Sequence, residues 1–183
     1  MLPYSLLRVV LASTFVLLFS ACASLPADVP RTESKALNDT GSTRLGQGAG
    51  ELTRAHPGLS GIRALPVANE AFAARILLAR GAQRSLDLQY YIWHRDTTGQ
   101  LLWEEVWRAA ERGVRVRVLI DDANTGGQDA MLATLDAHPN IELRLFNPFA
   151  NRSFRAGDFL SDFRRVNHRM HNKSFTADNQ VAI

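Results

Sequence analysis

A single cysteine, Cys22, stands in this chain, so no disulfide can join one part of it to another. Lysine is almost as scarce: Lys35 and Lys173 stand against nineteen arginines, which singles out any lysine found inside a pattern of polar residues. No apolar run is long enough to cross a bilayer. The run from Val9 to Phe19 has eleven apolar-dominated positions, where a spanning helix needs roughly 20. No Gly-x-Ser-x-Gly turn exists, so acyl hydrolysis lacks its nucleophile elbow. Gly46, Gly48 and Gly50 follow no strand and do not match Gly-x-Gly-x-x-Gly, which removes a dinucleotide loop. No internal repeat is visible. A net charge of +3 is too mild to argue by itself for nucleic acid, although it permits an anionic substrate. With 183 residues and 46% hydrophobic content, one good core is within reach.

What is present begins with an export signal. Arg8 and the terminal amine give a small positive region, Val9 to Phe19 an apolar run, and Phe19-Ser-Ala-Cys22 a small-residue cleavage site. This pattern resembles a bacterial lipobox. The resemblance implies a lipoprotein-type signal peptide over residues 1–21, with Cys22 lipidated as the mature N-terminus and the protein exported to the bacterial cell envelope. An ordinary signal peptide or short anchor with an incidental cysteine is the alternative. Residues 22–60, rich in Ala, Ser, Thr, Gly and Asp, read as a flexible tether.

Beyond Pro66 the pattern becomes regular. Phe72, Ile76 and Leu77 recur at helical spacing up to Gly81, and Leu86, Leu88, Tyr90 and Ile92 alternate as a strand. Gly99 opens a second helix carrying Leu102, Val106, Ala109 and Ala110, with Gly113 just past its end. Val114, Val116, Val118 and Ile120 alternate as the next strand. Met131, Leu132 and Leu135 mark a third helix, and Ile141, Leu143 and Leu145 a third strand. This order predicts an α/β fold with a mostly parallel or mixed sheet flanked by helices.

Residues 147–167 break the pattern. Phe154, Phe159, Leu160 and Phe163 are interleaved with Arg152, Arg155, Arg164 and Arg165. The arginines can grip an anionic headgroup while the aromatics meet acyl chains. Alternatively the Phe residues form the core face of a short helix and the arginines its solvated face. Asp121-Asp122 follows a buried-type strand, but no third carboxylate or histidine lies nearby in sequence to complete a metal site, so capping a loop or lining a pocket is the better reading. His168 and His171, three apart, fall on opposite faces of a strand and have no cysteine to join them, which argues against zinc. Neither a metal nor another cofactor is expected.

The most informative stretch is His171-Asn-Lys173, followed five residues later by Asp178. Side chains two apart in a strand share a face, so an imidazole and an ammonium can converge on one phosphate. An imidazole can attack phosphorus, an ammonium can neutralise charge on the non-bridging oxygens, and a carboxylate beyond the strand can orient or tune the others.

The segment Arg169-Met-His-Asn-Lys-Ser-Phe-Thr-Ala-Asp178 resembles the signature of the phospholipase D superfamily. Ser85-Leu-Asp-Leu-Gln-Tyr-Tyr-Ile-Trp93, the run from Arg112 to Asn124, and Leu143-Arg-Leu-Phe-Asn-Pro-Phe149 are similar to the first half of its bacterial cardiolipin synthases. The resemblance covers roughly residues 60 to 183. It implies that residues 61–183 are the first lobe of a two-lobed phospholipase D-like fold, truncated at its C-terminus, in an N-terminal fragment of a longer enzyme. It further implies a phosphatidyltransferase that makes cardiolipin from phosphatidylglycerol or another phospholipid donor without a metal. His171 would form the phosphohistidine intermediate, Lys173 would hold phosphate oxygens, and Asp178 would support the site. The expected partners are a phospholipid with an anionic headgroup, a membrane surface and a second His-x-Lys-x-x-x-x-Asp half; nucleic acid is not expected. The fragment alone is expected to be inactive, since one half-site cannot supply both nucleophile and acid. Two rivals remain: a single-motif phosphodiesterase or nuclease working as a homodimer, and a non-catalytic lipid-binding lipoprotein.

Overall fold

The computed structural model describes residues 24–30 and 32–183. The signal peptide expected over residues 1–21 and the lipidation site Cys22 lie outside the described residues. No helix among the described residues is long and apolar enough to cross a membrane. The described chain forms two compact units, one of Thr32–Phe146 with Arg169–Ile183, the other including Asn147–His168.

The first unit is built on a five-stranded sheet in the order β3-β2-β1-β4-β5. Strands β1 (Ser85–Tyr90), β2 (Arg115–Asp121) and β3 (Ile141–Phe146) are parallel. Strand β4 (Lys173–Ala177) returns antiparallel beside β1, and the short β5 (Val181–Ala182) pairs antiparallel with β4. Register places Leu88 level with Val118 on one side and Phe175 on the other. The alternating apolar positions Leu86, Leu88, Val116, Val118, Ile120, Phe175 and Ala177 therefore share one face and are all buried.

Four helices belong to this unit: α1 (Arg44–Thr53), α2 (Ala68–Gly81), α3 (Thr97–Glu111) and α4 (Asp129–Asp136). Helix α3 joins β1 to β2 and presents Leu102, Val106, Ala109 and Ala110 to the same core, and α2 packs against it. The sheet is mixed, and its helices flank it as the α/β reading required. Helix α3 starts two residues before Gly99: Asp96 is its N-cap, accepting from the Gly99 N–H at 2.8 Å. Gly99 is needed because the chain doubles back there, where an added Cβ would lie 1.9 Å from the His94 carbonyl oxygen.

Within the segment read as a flexible tether, residues 22–60, the stretch from residue 32 to 53 makes specific contacts. Residues 32–40 lie along the polar face of the sheet. The Lys35 carbonyl accepts from Arg115 at 2.8 Å, that of Thr32 accepts from Arg144, and the Ser34 hydroxyl donates to Glu142 at 3.0 Å. Thr40 and Thr43 are buried, and Thr43 caps α1 through the Gly46 N–H at 3.1 Å. The composition misleads because this segment is held by polar contacts to strand arginines, which leave no apolar periodicity.

In the second unit, α5 (Arg155–Ser161) and α6 (Phe163–Val166) are short helices held together by polar contacts. Buried Asp158 accepts from the Ala150 N–H at 2.6 Å, and Arg165 donates to the Pro148 carbonyl at 2.7 Å. Phe149 is buried, but Phe154, Phe159, Leu160 and Phe163 are 59%, 41%, 88% and 58% exposed. The helical-core reading of these aromatics is thus corrected. It is Asp158 and the half-buried Arg165 that turn inward, while the large apolar side chains face out.

Candidate functional site

The parallel strands β1, β2 and β3 all end on one edge, and crevices at such edges are where α/β sheets hold ligands. Because β4 runs antiparallel, its first residue, Lys173, lies opposite Tyr90, the last residue of β1. The His-x-Lys segment is therefore delivered to that edge. His171 precedes β4 rather than lying in it, yet its ring reaches the same place as the Lys173 side chain. The His171 imidazole stacks on the ring of Tyr91, with centroids 4.2 Å apart and planes 26° from parallel. The Lys173 ammonium sits 5.6 Å from the centre of that ring, near enough for cation–π attraction, and donates to the His171 carbonyl at 3.0 Å. Both residues are exposed.

The backbone around His171 is tightly fixed. On one side the Met170 N–H donates to the Asp121 carboxylate at 2.7 Å. On the other the Asn172 carbonyl accepts from the Tyr91 N–H at 3.1 Å, while the Asn172 side chain donates to Gln89 at 2.8 Å. Next to Tyr91, the phenol of Tyr90 is pushed up by burial, against the opposing charge and hydrogen bond of Arg75.

Asp178 is not part of this cluster. Five residues of extended chain separate it from Lys173, roughly 17 Å, and it sits opposite the start of β1. Its carboxylate is fully buried and accepts from three consecutive backbone N–H groups: Gln83 at 3.1 Å, Arg84 at 2.7 Å and Ser85 at 3.0 Å. Its own N–H donates to the Ser85 carbonyl at 2.8 Å. Asp178 and Asn179 both take positive φ, 52° and 50°, a conformation that Asp and Asn adopt more readily than most residues. Any support that this carboxylate gives to the other two groups passes through the strand, because one end of β4 cannot touch the other. Asp178 staples the β4–β5 turn to the start of β1.

Asp121 and Asp122 end β2 and open a 3₁₀ turn. Asp121 caps the turn through the Ala123 N–H at 2.8 Å, as the capping alternative required, and also receives the Arg169 guanidinium at 2.9 Å. Among the described residues, no group of three or more His, Cys, Asp or Glu side chains is assembled that could hold a metal. Sequence reasoning did not single out Tyr91 from the run Ser85-Leu-Asp-Leu-Gln-Tyr-Tyr-Ile-Trp93. It also missed the tie from Asp121 to the residues before His171. A hint was present in both cases: Tyr91 directly follows a strand of a parallel set, and Asp121 ends one.

Comparison with known proteins supplies the lineage. Residues 76–183 match the family model described as cardiolipin synthase, PLD-like domain. Cardiolipin synthase C of Escherichia coli (strain K12) is 51% identical over 140 residues, covering 76% of this chain and 30% of that protein. An uncharacterized protein of Helicobacter pylori (strain ATCC 700392 / 26695) is 33% identical over 179 residues, covering 97% of this chain and 36% of that protein. The chain thus spans about a third of the length of these curated relatives. Among solved structures, NucT from Helicobacter pylori aligns with a TM-score of 0.43 at 19% identity, covering 62% of this chain and 64% of that one, a likeness too low to bear on function. With its matching segment, its mixed sheet and its His-x-Lys pair at the sheet edge, the chain belongs to the phospholipase D-like domain family of the cardiolipin synthases.

Proposed function

We propose that this chain carries one half of the active site of a phosphatidyltransferase that makes cardiolipin from phosphatidylglycerol or a related phospholipid donor. The observation that carries this reading is the pairing of the His171 imidazole and the Lys173 ammonium around the Tyr91 ring at an open sheet edge. An imidazole nitrogen of His171 attacks phosphorus, forming a P–N bond as the P–O bond to the departing alcohol breaks. The Lys173 ammonium offsets charge that gathers on the non-bridging oxygens. A proton must reach the leaving alkoxide, and a histidine from a second His-x-Lys motif outside these residues supplies it. A hydroxyl of the acceptor lipid then attacks phosphorus, breaks the P–N bond and gives its proton to that second histidine. Asp178 acts by holding the strand, without touching the phosphate.

The substrate is a bilayer lipid, so the enzyme must meet a membrane. Outward-facing Phe154, Phe159, Leu160 and Phe163, accompanied by Arg164, suit an anionic interface. Lipidation of Cys22 after export would keep the chain in the bacterial envelope near that surface.

The test is thin-layer chromatography of radiolabelled phosphatidylglycerol incubated with this chain and with the chain extended by its downstream reading frame. Cardiolipin from the extended protein alone is expected, with no labelled phosphoenzyme once His171→Ala is introduced. Lipid product unaffected by His171→Ala would overturn the nucleophile assignment. Cleavage of DNA with no lipid product would transfer the assignment to a nuclease. In the same assay, Phe159→Ser with Phe163→Ser should lower yield from vesicles while leaving yield from detergent-dispersed lipid unchanged.

A further inference from the structure

We infer that Asp121, acting through Arg169 and the Met170 backbone, is the positioning residue that sets the imidazole of His171 against Tyr91 and so fixes its line of approach to phosphorus. The inference rests on the nucleophile reading of His171 above.

Four observations converge on it. Asp121 ends β2, the central strand of the parallel set, and its carboxylate is fully buried. It meets three donors: the Arg169 guanidinium at 2.9 Å, the Met170 N–H at 2.7 Å and the Ala123 N–H at 2.8 Å. Two of these belong to the pair of residues just before His171. Beyond His171, the Asn172 carbonyl is tied to the Tyr91 N–H at the exit of β1. His171 is therefore suspended between the ends of two neighbouring strands, pinned by its backbone neighbours on both sides, with Tyr91 beneath its ring.

That arrangement matters because His171 is exposed and no element of regular structure holds it. The residues from His168 to Asn172 lie in neither helix nor strand, and an imidazole on such a segment would sample many orientations. A nucleophile must present its lone pair along the axis opposite the leaving oxygen, and a displacement near 1 Å lowers rate on the order of 100-fold. The Asp121 carboxylate supplies the restraint that regular structure does not. Its pairing with Arg169, whose side chain is only 11% exposed, is a charge-assisted contact shielded from water. Truncating Arg169 takes the guanidinium away from a fully buried carboxylate.

The experiment compares Asp121→Asn, Arg169→Lys and Arg169→Ala in the extended protein, measuring kcat and KM on phosphatidylglycerol alongside the NMR signals of the His171 ring protons. A ring stacked on Tyr91 is shifted upfield by the ring current. The expected result for Asp121→Asn and Arg169→Ala is a fall in kcat of about 10- to 100-fold with KM little changed. The His171 signals move toward those of a free imidazole. Arg169→Lys restores part of both. Folded variants with unchanged His171 signals would overturn the inference, whatever their kcat. Moved His171 signals with full kcat would overturn it too. If the Asp121 variant does not fold, the two Arg169 variants carry the same test. Failure of the nucleophile reading is recognised separately, by His171→Ala retaining turnover, and leaves the ring-current result standing.

Discussion

The two ends of β4 carry residues of one short motif under opposite physical conditions. At the Lys173 end, an exposed ammonium and an exposed imidazole share an aromatic ring, with polar capacity left for a ligand. At the Asp178 end, a buried carboxylate is saturated by three backbone N–H groups of a single bend. The open end is suited to meeting a substrate, and the saturated end to holding the strand that presents it. The motif therefore joins an open end to a saturated one, so residues that look alike in a pattern should respond differently to substitution.

The largest separation between the two ends should come from activity. His171→Ala is expected to lower turnover by on the order of 10³-fold or more, and Lys173→Ala by on the order of 10²- to 10³-fold. Thermal midpoints should hardly move, because surface changes of this kind usually alter stability by less than about 0.5 kcal/mol. A large stability loss in either variant would break the comparison.

The saturated end should show the converse. Asp178→Ala orphans three backbone donors and is expected to cost about 2–4 kcal/mol in urea unfolding. Asp178→Asn, which keeps one acceptor, should cost less and retain measurable turnover. A folded, fully stable Asp178→Asn protein without activity would return this carboxylate to the chemistry.

The smallest effect sharpens the comparison with another buried carboxylate, Glu105, which is held by arginine side chains instead of backbone amides. Arg80 donates to it at 2.9 and 2.6 Å, and Arg108 at 3.1 Å. The Arg80 hydrogen bond, against a smaller effect of burial, holds its carboxyl below the usual value of 4.5. A lowered folded-state value means stabilisation that is present above about pH 4.5 and fades as pH falls through the folded value. Glu105→Gln should therefore lose a little stability at pH 7, and its unfolding midpoint should fall less than that of the parent between pH 5 and about pH 3. Identical acid limbs for the two proteins would contradict this.

Much of this division was legible in the residues themselves. Alternation at Leu86–Leu88 and Val116–Ile120 fixed β1 and β2, because one face of each strand is buried and the other carries Asp87 and Arg117. The spacing of His171 and Lys173 announced two side chains able to act together. The direction of β4 could not be read, because it depends on which neighbour it pairs with, and that pairing decides that Lys173 meets Tyr90 while Ala177 meets Leu86. The tie from Asp121 to Met170 crosses 49 positions of sequence and leaves no local pattern. The outward aromatics of residues 154–163 could be read either way, because amphipathic spacing does not say which face is wet.

The covering segment at residues 32–40 has a bearing on how this domain is best trimmed. A chain cut to begin at residue 61, where the apolar periodicity starts, would strip the acceptors from Arg115 and Arg144 and the hydroxyl partner from Glu142. The polar side of the sheet would be uncovered, left with its own pairs, Arg117 with Asp87 and Arg144 with Glu142. The unit that carries the sheet begins at Thr32, among residues whose composition resembles that of a linker.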